Sequence, residues 1–142
     1  MSGAEILQTC RSRTRSWEST SVNVYETVGG EPFFVELVEK FYQGVEQDPL
    51  LRPMYPEEDL TAAKRRLHLF LMQYFGGPQT YSQERGHPRL RMRHMPFKID
   101  QAARDAWMTH MLAALKSVDA EEEAKIVMLD YFDQVATFMM NR

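Results

Sequence analysis

Apolar residues recur along this chain at intervals of three and four positions, the spacing that places side chains on one face of an α-helix. One such stripe runs from about residue 31 to 46, directly after Gly29 and Gly30, which are well suited to end a preceding short helix at Val28. The pattern predicts an amphipathic helix with one face in a core. Its apolar positions are Phe34, Leu37, Val38, Phe41, Tyr42 and Val45.

A second stripe follows a corner that is stiffened by Pro49, Pro53 and Pro56 and that carries Tyr55. This stripe predicts a helix that the sequence FGGP at 75–78 closes, because glycine readily ends a helix and proline cannot continue one. Its apolar positions are Leu60, Ala63, Leu67, Phe70, Leu71 and Tyr74.

Two more helices are predicted further along, each after an aspartate. Asp100 suits the N-cap of a helix to about Val118, and Asp119 suits the N-cap of the last helix, with Glu122 completing a capping box. Their inner faces would hold Ala103, Trp107, Met111 and Ala114 or Leu115, then Met128, Tyr131 or Phe132, Val135 and Phe138 or Met139. Strand signals are absent, so the sequence predicts an all-α fold, a small helical sandwich or bundle.

A chain of 142 residues is expected to form one domain. Residues 1–20 are interpreted as a flexible N-terminal extension and 21–142 as the folded domain, because the polar run at 9–23 shows no sustained period. Trp17 is expected to be an exposed residue of that extension, with docking on the domain as the alternative. Cys10 is the only cysteine, which favours a reducing, cytoplasmic location, and no run resembles a membrane span or a signal peptide.

Charge is unevenly distributed along the chain. The net charge is −3, from 20 acidic and 17 basic residues, which argues against a general nucleic-acid binder. Four basic residues nevertheless fall between positions 89 and 98, namely Arg89, Arg91, Arg93 and Lys98. This local excess indicates a small anionic ligand rather than a polyanion.

His94 lies inside this basic segment, GHPRLRMRHMPFKID at 86–100. Pro96 disfavours helical geometry at Met95, so His94 is expected in the last turn of a very short helix. There the unpaired carbonyl of Leu90 or Arg91 could accept a proton from one ring nitrogen. The other nitrogen would then be free to bind a metal.

Several roles fit such a histidine from the residues alone: a surface group, a cationic helix cap, a zinc ligand or a haem ligand. Zinc needs three or four ligands, and the four histidines share no usual ligand spacing. Haem needs one neutral imidazole, cations for two propionates and a flat apolar slot. Arg66 and Arg93 could reach propionates and Tyr81 could hydrogen-bond one. The apolar residues available for the slot are Leu67, Phe70, Met92, Phe97, Ile99 and Met111.

The run GGPQTYSQERGHPRLRMRHMPFKID, followed by RDAW, closely resembles the bacterial truncated haemoglobins of the second group. The upstream sequences FYQGVEQDPLLRPMYPEEDL and LHLFLMQYFGG match the same family. The resemblance covers about residues 22 to 140, and separated motifs agree in order and spacing. It implies a truncated globin, a two-over-two α-helical sandwich around haem b (iron protoporphyrin IX).

The resemblance also implies roles for individual residues. His94 in RMRHMPF would be the proximal iron ligand, and Tyr42, Tyr55 and Trp107 would form the polar cluster on the ligand side. Ala63 falls where many globins place a distal histidine. His68, five positions later, is not expected to replace it.

Phenol and indole groups can donate hydrogen bonds to iron-bound dioxygen, which is superoxide-like, without titrating near neutral pH. Each such bond is worth about 1 to 3 kcal/mol when the acceptor is partly charged. Two donors would slow oxygen release by about one to three orders of magnitude. We therefore expect tight oxygen binding with slow release.

A slow-releasing pocket suits redox chemistry on a bound ligand better than bulk oxygen delivery. The small ligands expected are dioxygen, nitric oxide, carbon monoxide and peroxide, and nitric oxide dioxygenase and peroxidase-like activities are both candidates. No flavin or nicotinamide motif is present, so a reductase would be a separate partner. A homo-oligomer is an open option. The alternative from another class is a cofactor-free helical interaction module that uses the basic connector 85–98 to bind an acidic partner.

Overall fold

The computed structural model describes residues 23–142, and this part of the chain contains α-helices, one 3-10 helix and no strand. The extension at 1–20, Cys10 and Trp17 lie outside the described residues. The helices are α1 (Val24–Thr27), α2 (Glu31–Glu46), the 3-10 helix (Arg52–Met54), α3 (Thr61–Tyr74), α4 (Thr80–Arg85), α5 (Leu90–His94), α6 (Gln101–Ser117) and α7 (Glu122–Phe138). None of these described helices is long and apolar enough to cross a membrane.

Four long helices pack as two pairs. Helix α2 packs against α3, α6 packs against α7, and the contact between α2 and α6 joins the pairs into the predicted two-over-two sandwich. The layers meet on fully buried side chains, because each helix has one apolar face and must cover it. The largest of these are Phe34, Phe41, Phe132, Leu37, Leu71, Met111 and Met128.

Helix α2 matches its predicted bounds and face. Gly30 precedes it with a φ of 81°, a left-handed conformation that favours glycine, and Pro32 occupies its first turn. All six predicted stripe residues are buried, and Phe33 is buried with them.

The two aspartates predicted as N-caps have different outcomes. Asp100 caps α6, since its Oδ1 accepts from the Ala103 amide at 3.0 Å. The capping box at Asp119 is wrong: α7 begins at Glu122, and the residue before it, Glu121, is extended and makes no side-chain cap. The Lys125 ammonium group instead donates to the Val118 carbonyl at 2.6 Å, which closes the end of α6 while the chain between the helices stays extended.

One stripe position differs from expectation. Tyr74 is 46% exposed, although it ends the predicted apolar face of α3, and its ring stacks on Tyr131 with 4.0 Å between centroids. It lies in the last turn of the helix, where the core no longer covers the whole apolar stripe. On α7 the sequence left the last inward position between Phe138 and Met139, and the buried residue is Met139, which is 7% exposed against 59% for Phe138.

The connector between α3 and α6 is more helical than the sequence suggests. Helix α4 was not predicted, because residues 80–85 contain a single apolar anchor, Tyr81, and therefore show no period. The Gln73 side chain fixes this helix by accepting from the Ser82 amide at 2.9 Å and donating to its hydroxyl at 2.8 Å. Helix α5 ends at His94 as predicted, although Met95 keeps helical φ and ψ of −58° and −35° despite the following proline.

Asn141 attaches this connector to the C-terminal end of α7. Its side chain donates to the Phe97 carbonyl at 2.9 Å and accepts from the Ile99 amide at 3.0 Å, while its own amide donates to the Ile99 carbonyl at 2.9 Å. These bonds satisfy backbone groups of an extended segment that has no neighbouring strand. The position of the connector is thereby tied to the main helical sandwich.

The contrast between the two aspartates gives a stability prediction. Asp100→Ala should lower the free energy of unfolding by about 1 kcal/mol, because it leaves the Ala103 amide without its cap. Asp119→Ala is the matched control and should change that free energy by less than about 0.5 kcal/mol. Urea denaturation of the two variants in the same ligation state measures the difference. Equal losses would contradict the assignment of the cap.

Candidate functional site

A cavity of about 620 Å³ opens between the helical layers and the connector. This volume lies within the range of sites that take small organic ligands. Nearly all the predicted site residues line it, and they come from different elements of the fold. They are Tyr42, Tyr55, Arg66, Leu67, Phe70, Tyr81, Arg93, His94, Phe97, Ile99 and Trp107.

Met92 and Met111, also predicted to line the slot, do not belong to the cavity wall. Met92 is 56% exposed, because Leu90 and His94 turn toward the cavity and a residue two positions after Leu90 falls on the opposite side of the helix. Met111 is completely buried among the core residues between the helical layers. Period arguments could not place Met92, since α5 is only five residues long.

The His94 ring is held by the backbone of its own helix. Its Nδ1 lies 2.6 Å from the carbonyl oxygen of Leu90, one turn earlier, which is one of the two partners that the sequence allowed. A carbonyl only accepts hydrogen bonds, so Nδ1 must carry a proton. Nε2 of the neutral ring then has a free lone pair, and no described residue bonds to it. This is the state in which an imidazole binds a metal ion.

Tyr42 and Tyr55 form a pair at the cavity wall. Their rings meet edge to face at 5.5 Å between centroids, and their hydroxyl groups are hydrogen-bonded to each other. Burial raises the pKa of Tyr42 far above its ordinary value, and the nearby Tyr55 raises it further. Burial also raises the pKa of Tyr55, against the opposing effects of the Tyr42 hydrogen bond and the Arg66 charge. Both phenols therefore stay protonated, and since one hydrogen bond joins them, one O–H of the pair remains available to a ligand.

Trp107 is fixed by ring contacts on both sides. It packs against Phe41 at 5.1 Å and against Phe132 at 5.8 Å between ring centroids. Among the described residues, none accepts a hydrogen bond from its indole N–H. A partly buried donor without a partner next to a cavity favours a ligand that accepts from it.

The cations at the cavity are held by local contacts. Arg66 lies 3.9 Å from Glu57. Arg93 Nε donates to the Pro88 carbonyl at 2.7 Å, which fixes the guanidinium near the cavity mouth. Arg85 also lines the cavity and was missed; it lies one turn after Tyr81, over whose ring its guanidinium sits at 6.0 Å. Recognising α4 as a helix would have revealed it, because positions four apart share a face.

A second missed residue, Arg104, lines the cavity and precedes Trp107 by one turn of α6. Its guanidinium is engaged with Asp133 and donates to the Thr137 hydroxyl at 3.2 Å. It fastens α6 to α7, so its charge is already compensated.

The remaining histidines offer no second metal site. His68 Nε2 lies 3.2 Å from Glu31 and is not part of the cavity wall, in agreement with the expectation that it is no distal ligand. Ala63 is buried at the wall in its place. His110 Nε2 lies 2.7 Å from Asp48. Within residues 23–142 no group of three or more potential ligands could hold a metal ion.

Comparison with known proteins shows the family to which the chain belongs. The family model described as bacterial-like globin matches residues 23–141. The chain is 41% identical over 118 residues to the group 2 truncated hemoglobin YjbI of Bacillus subtilis, covering 83% of this chain and 88% of that protein.

Solved structures show the same fold. A crystal structure of a hemoglobin from Chloroflexus aurantiacus superposes with a TM-score of 0.83 at 53% identity. The match covers 86% of this chain and 100% of the other. A truncated oxygen-avid haemoglobin from Bacillus subtilis gives a TM-score of 0.80 at 39% identity, covering 84% and 100% of the two chains.

The fold and the matched family define this protein as a globin of the bacterial-like class. More narrowly, the chain belongs to the truncated haemoglobins of the second group, the family that its motifs indicated. Membership implies a haem cofactor and the binding of small gaseous ligands.

The raised pKa of Tyr42 has a measurable consequence. An unfolded tyrosine loses its proton near pH 10, and folded Tyr42 keeps its proton well above that pH. The unfolded state therefore binds fewer protons above about pH 10, and the free energy of unfolding falls as pH rises from there. Below about pH 10 the tyrosine is protonated in both states, so the full stability of the buried, protonated Tyr42 is retained.

Tyr42→Phe should accordingly leave the rise in phenolate absorbance of the folded protein between about pH 8 and pH 11 unchanged. The reason is that Tyr42 contributes nothing to that rise while the fold persists. A spectrophotometric titration of wild type and variant, with circular dichroism as a check on folding, tests this. If the variant's phenolate absorbance rose by one tyrosine less than that of the wild type, Tyr42 would ionise in the normal pH range.

Proposed function

We propose that this chain holds haem b in the cavity, with Nε2 of His94 as the protein ligand of the iron. The observation that carries the proposal is the hydrogen bond from His94 Nδ1 to Leu90, which leaves a neutral, unpartnered nitrogen at a cavity of suitable size. Imidazole binds iron in this form. The carbonyl partner also fixes the ring orientation and raises the basicity of the other nitrogen.

The residues around His94 suit the rest of the cofactor. Arg66 and Arg93, joined by Arg85, would hold the propionates by charge-assisted bonds, and the buried Tyr81 would add a hydroxyl donor. Apolar side chains of four elements would contact the macrocycle. They are Leu67, Phe70, Phe97 and Ile99, with Leu90, Val135 and Met139 in addition.

The aromatic donors would act on the bound ligand. Tyr42 and Tyr55 share one hydrogen bond, so one O–H of this pair and the Trp107 indole N–H are the two donors left for a ligand. Both stay protonated at any ordinary pH, and each bond to a partly charged acceptor stabilises the bound state by about 1.5 to 3 kcal/mol. Their positions are fixed by ring packing, so they need no rearrangement when a ligand arrives.

Reversible dioxygen binding with high affinity and slow release is the function that this donor set supports. One structurally similar protein carries the description oxygen-avid, which is in line with this proposal. Slow release makes bulk transport inefficient and gives a bound ligand time to react.

The location that we propose is the cytoplasm, because the sequence contains a single cysteine.

Two reactions fit such a site, the oxidation of nitric oxide to nitrate and the reduction of peroxide. Haem would supply the redox chemistry in either reaction. The residues of this chain would hold the oxygen ligand by hydrogen bonds, exclude bulk water by the apolar wall and, in the peroxide reaction, offer Trp107 or a tyrosine as an electron donor. A separate reductase would restore the ferrous state. Nitric oxide turnover measured beside stopped-flow oxygen release distinguishes storage from catalysis.

Replacing the proposed iron ligand should change the spectrum of the reconstituted protein. His94→Gly should lose the Soret position and the carbon monoxide spectrum of a histidine-ligated ferrous haem, because no other described histidine lines the cavity. Added imidazole should restore both by entering the space that the side chain leaves.

His87→Gly is the matched control, since His87 is an exposed histidine of the same connector. It should keep the wild-type spectrum. If His94→Gly gave an unchanged ferrous and carbon monoxide spectrum, another group would bind the iron. A wild-type chain that stays colourless after reconstitution would favour the cofactor-free interaction module.

The distal donors are tested by oxygen release. Trp107→Phe should raise the dissociation rate of dioxygen by about tenfold or more, because it removes one donor and keeps an aromatic ring. Stopped-flow displacement of oxygen by carbon monoxide measures the rate. Tyr25→Phe, which removes a hydroxyl from a ring that stacks on Phe34 outside the cavity, should leave it unchanged. Equal rates in wild type and Trp107→Phe would remove the indole from this account.

A further inference from the structure

The outer side of α5 and its flanks form a surface that the haem site does not use. We name it the proximal patch, and it consists of Arg89, Arg91, Met92, Met95, Lys98 and Phe138. Each of these side chains is exposed, and none of them lines the cavity. The Arg91 guanidinium sits over the Phe138 ring at 5.6 Å, which connects the end of α7 with α5.

The charge of the proximal patch is poorly compensated. Within the described part of the chain Arg89 and Arg91 form no ion pair, and Lys98 has only a long contact of 3.9 Å with Asp100. Residues 86–99 contain no aspartate or glutamate. The patch carries three positive charges although the whole chain carries −3, so the other residues together carry −6. The resulting field would orient an approaching acidic molecule toward this face.

The centre of the patch is apolar. Met92, Met95 and Phe138 are exposed by 56%, 52% and 59%, and Met92 and Met95 are three positions apart, so they share one side of the helical turn. Methionine and aromatic side chains surrounded by arginine are the composition of a protein interface, since methionine adapts its shape to different partners. A charged rim around a small apolar centre is also typical of a transient contact.

A short covalent and hydrogen-bonded path connects this surface with the site. Leu90 lies between Arg89 and Arg91, and its carbonyl accepts the His94 Nδ1 proton at 2.6 Å. An electron arriving at the backbone of α5 is therefore one hydrogen bond from the imidazole.

We propose that the proximal patch docks an acidic electron-donor protein, which delivers one electron to ferric haem through the Leu90 carbonyl and His94. This inference rests on the proposed haem site. The donor loses one electron and the iron gains it, and no atom or proton has to move. The partner class is a small acidic redox protein with an iron–sulfur or flavin centre near its surface, because only such a partner uses both the charge and the path.

Other anionic partners fit the patch less well. Nucleic acids and anionic membranes are extended, so they would also meet the remaining surface, which is acidic overall. The chain's own first 22 residues are no better match, since Arg11, Arg13 and Arg15 outnumber Glu5 and Glu18. A compact acidic protein avoids both problems.

The test uses a photochemically reduced plant-type [2Fe–2S] ferredoxin as the probe and the reconstituted ferric protein under carbon monoxide. Arg89→Glu/Arg91→Glu should lower the second-order reduction rate by about tenfold at low ionic strength, and wild type should slow steeply as salt is added. Two single charge reversals are compared as well: Arg89→Glu lies in the patch, and Lys116→Glu, outside it, is the matched control. Lys116 is exposed at the far end of α6 and should have little effect.

Further measurements separate the outcomes. Reduction by dithionite and the oxygen release rate should be unchanged in every variant, and a parallel loss there would overturn the proposal by showing a damaged site. Equal effects of Arg89→Glu and Lys116→Glu would overturn it as well. A third result would also overturn it: the wild-type protein binds phosphatidylserine vesicles, the double variant does not, and the two proteins are reduced by ferredoxin at the same rate.

The docking step can also be measured without haem chemistry. Calorimetric association of the oxidised ferredoxin with the patch should weaken in the double variant even in the protein without cofactor. One result separates the two proposals: association weakens in the double variant, but the chain takes up no haem. The proposed function and the electron path would then be wrong, and the patch would still be a docking surface. No association in either form would overturn the docking itself.

Discussion

The hydrogen bond between His94 Nδ1 and the Leu90 carbonyl is the interaction on which the site depends. It assigns the proton to one nitrogen, aims the ring and leaves the second nitrogen free. It is possible because the two residues lie one turn apart in α5, which brings the His94 ring within reach of the Leu90 carbonyl. A carbonyl oxygen has two lone pairs, so it can accept from a side chain in addition to the backbone of its own helix.

The rest of the cavity is built from aromatic packing. Tyr42 and Trp107 belong to the two helices whose contact joins the layers of the sandwich, and each ring is wedged against another. Their polar atoms are therefore placed by the same contacts that hold the core. Burial in these surroundings keeps the phenols neutral and strengthens every hydrogen bond that they make. Stability and ligand recognition are consequently served by one set of residues.

Periodicity in the sequence was sufficient for the long helices, because α2 and α3 each bury a stripe several turns long. It failed for α4, which has one apolar anchor, and for Met92, whose helix is too short to show a face. The predicted cap at Asp119 failed because the Lys125 side chain, seven residues after Val118, occupies the carbonyl at the helix junction. The place of His94 at the end of a short helix was predictable from the neighbouring prolines, whereas its partner could only be narrowed to Leu90 or Arg91. Arg85 was missed with α4, since its place beside Tyr81 follows only once that helix is recognised. The bonds of Asn141 depend on tertiary contacts, and no local pattern signals them.

Asn141 has a consequence for how the protein is made. The segment 94–99 that follows the imidazole is bonded to a residue more than 40 positions later. During synthesis those groups have no partner until Asn141 has left the ribosome. The pocket is therefore expected to become rigid only after α7 has been made, and cofactor uptake should follow the folding of the domain rather than guide the nascent chain.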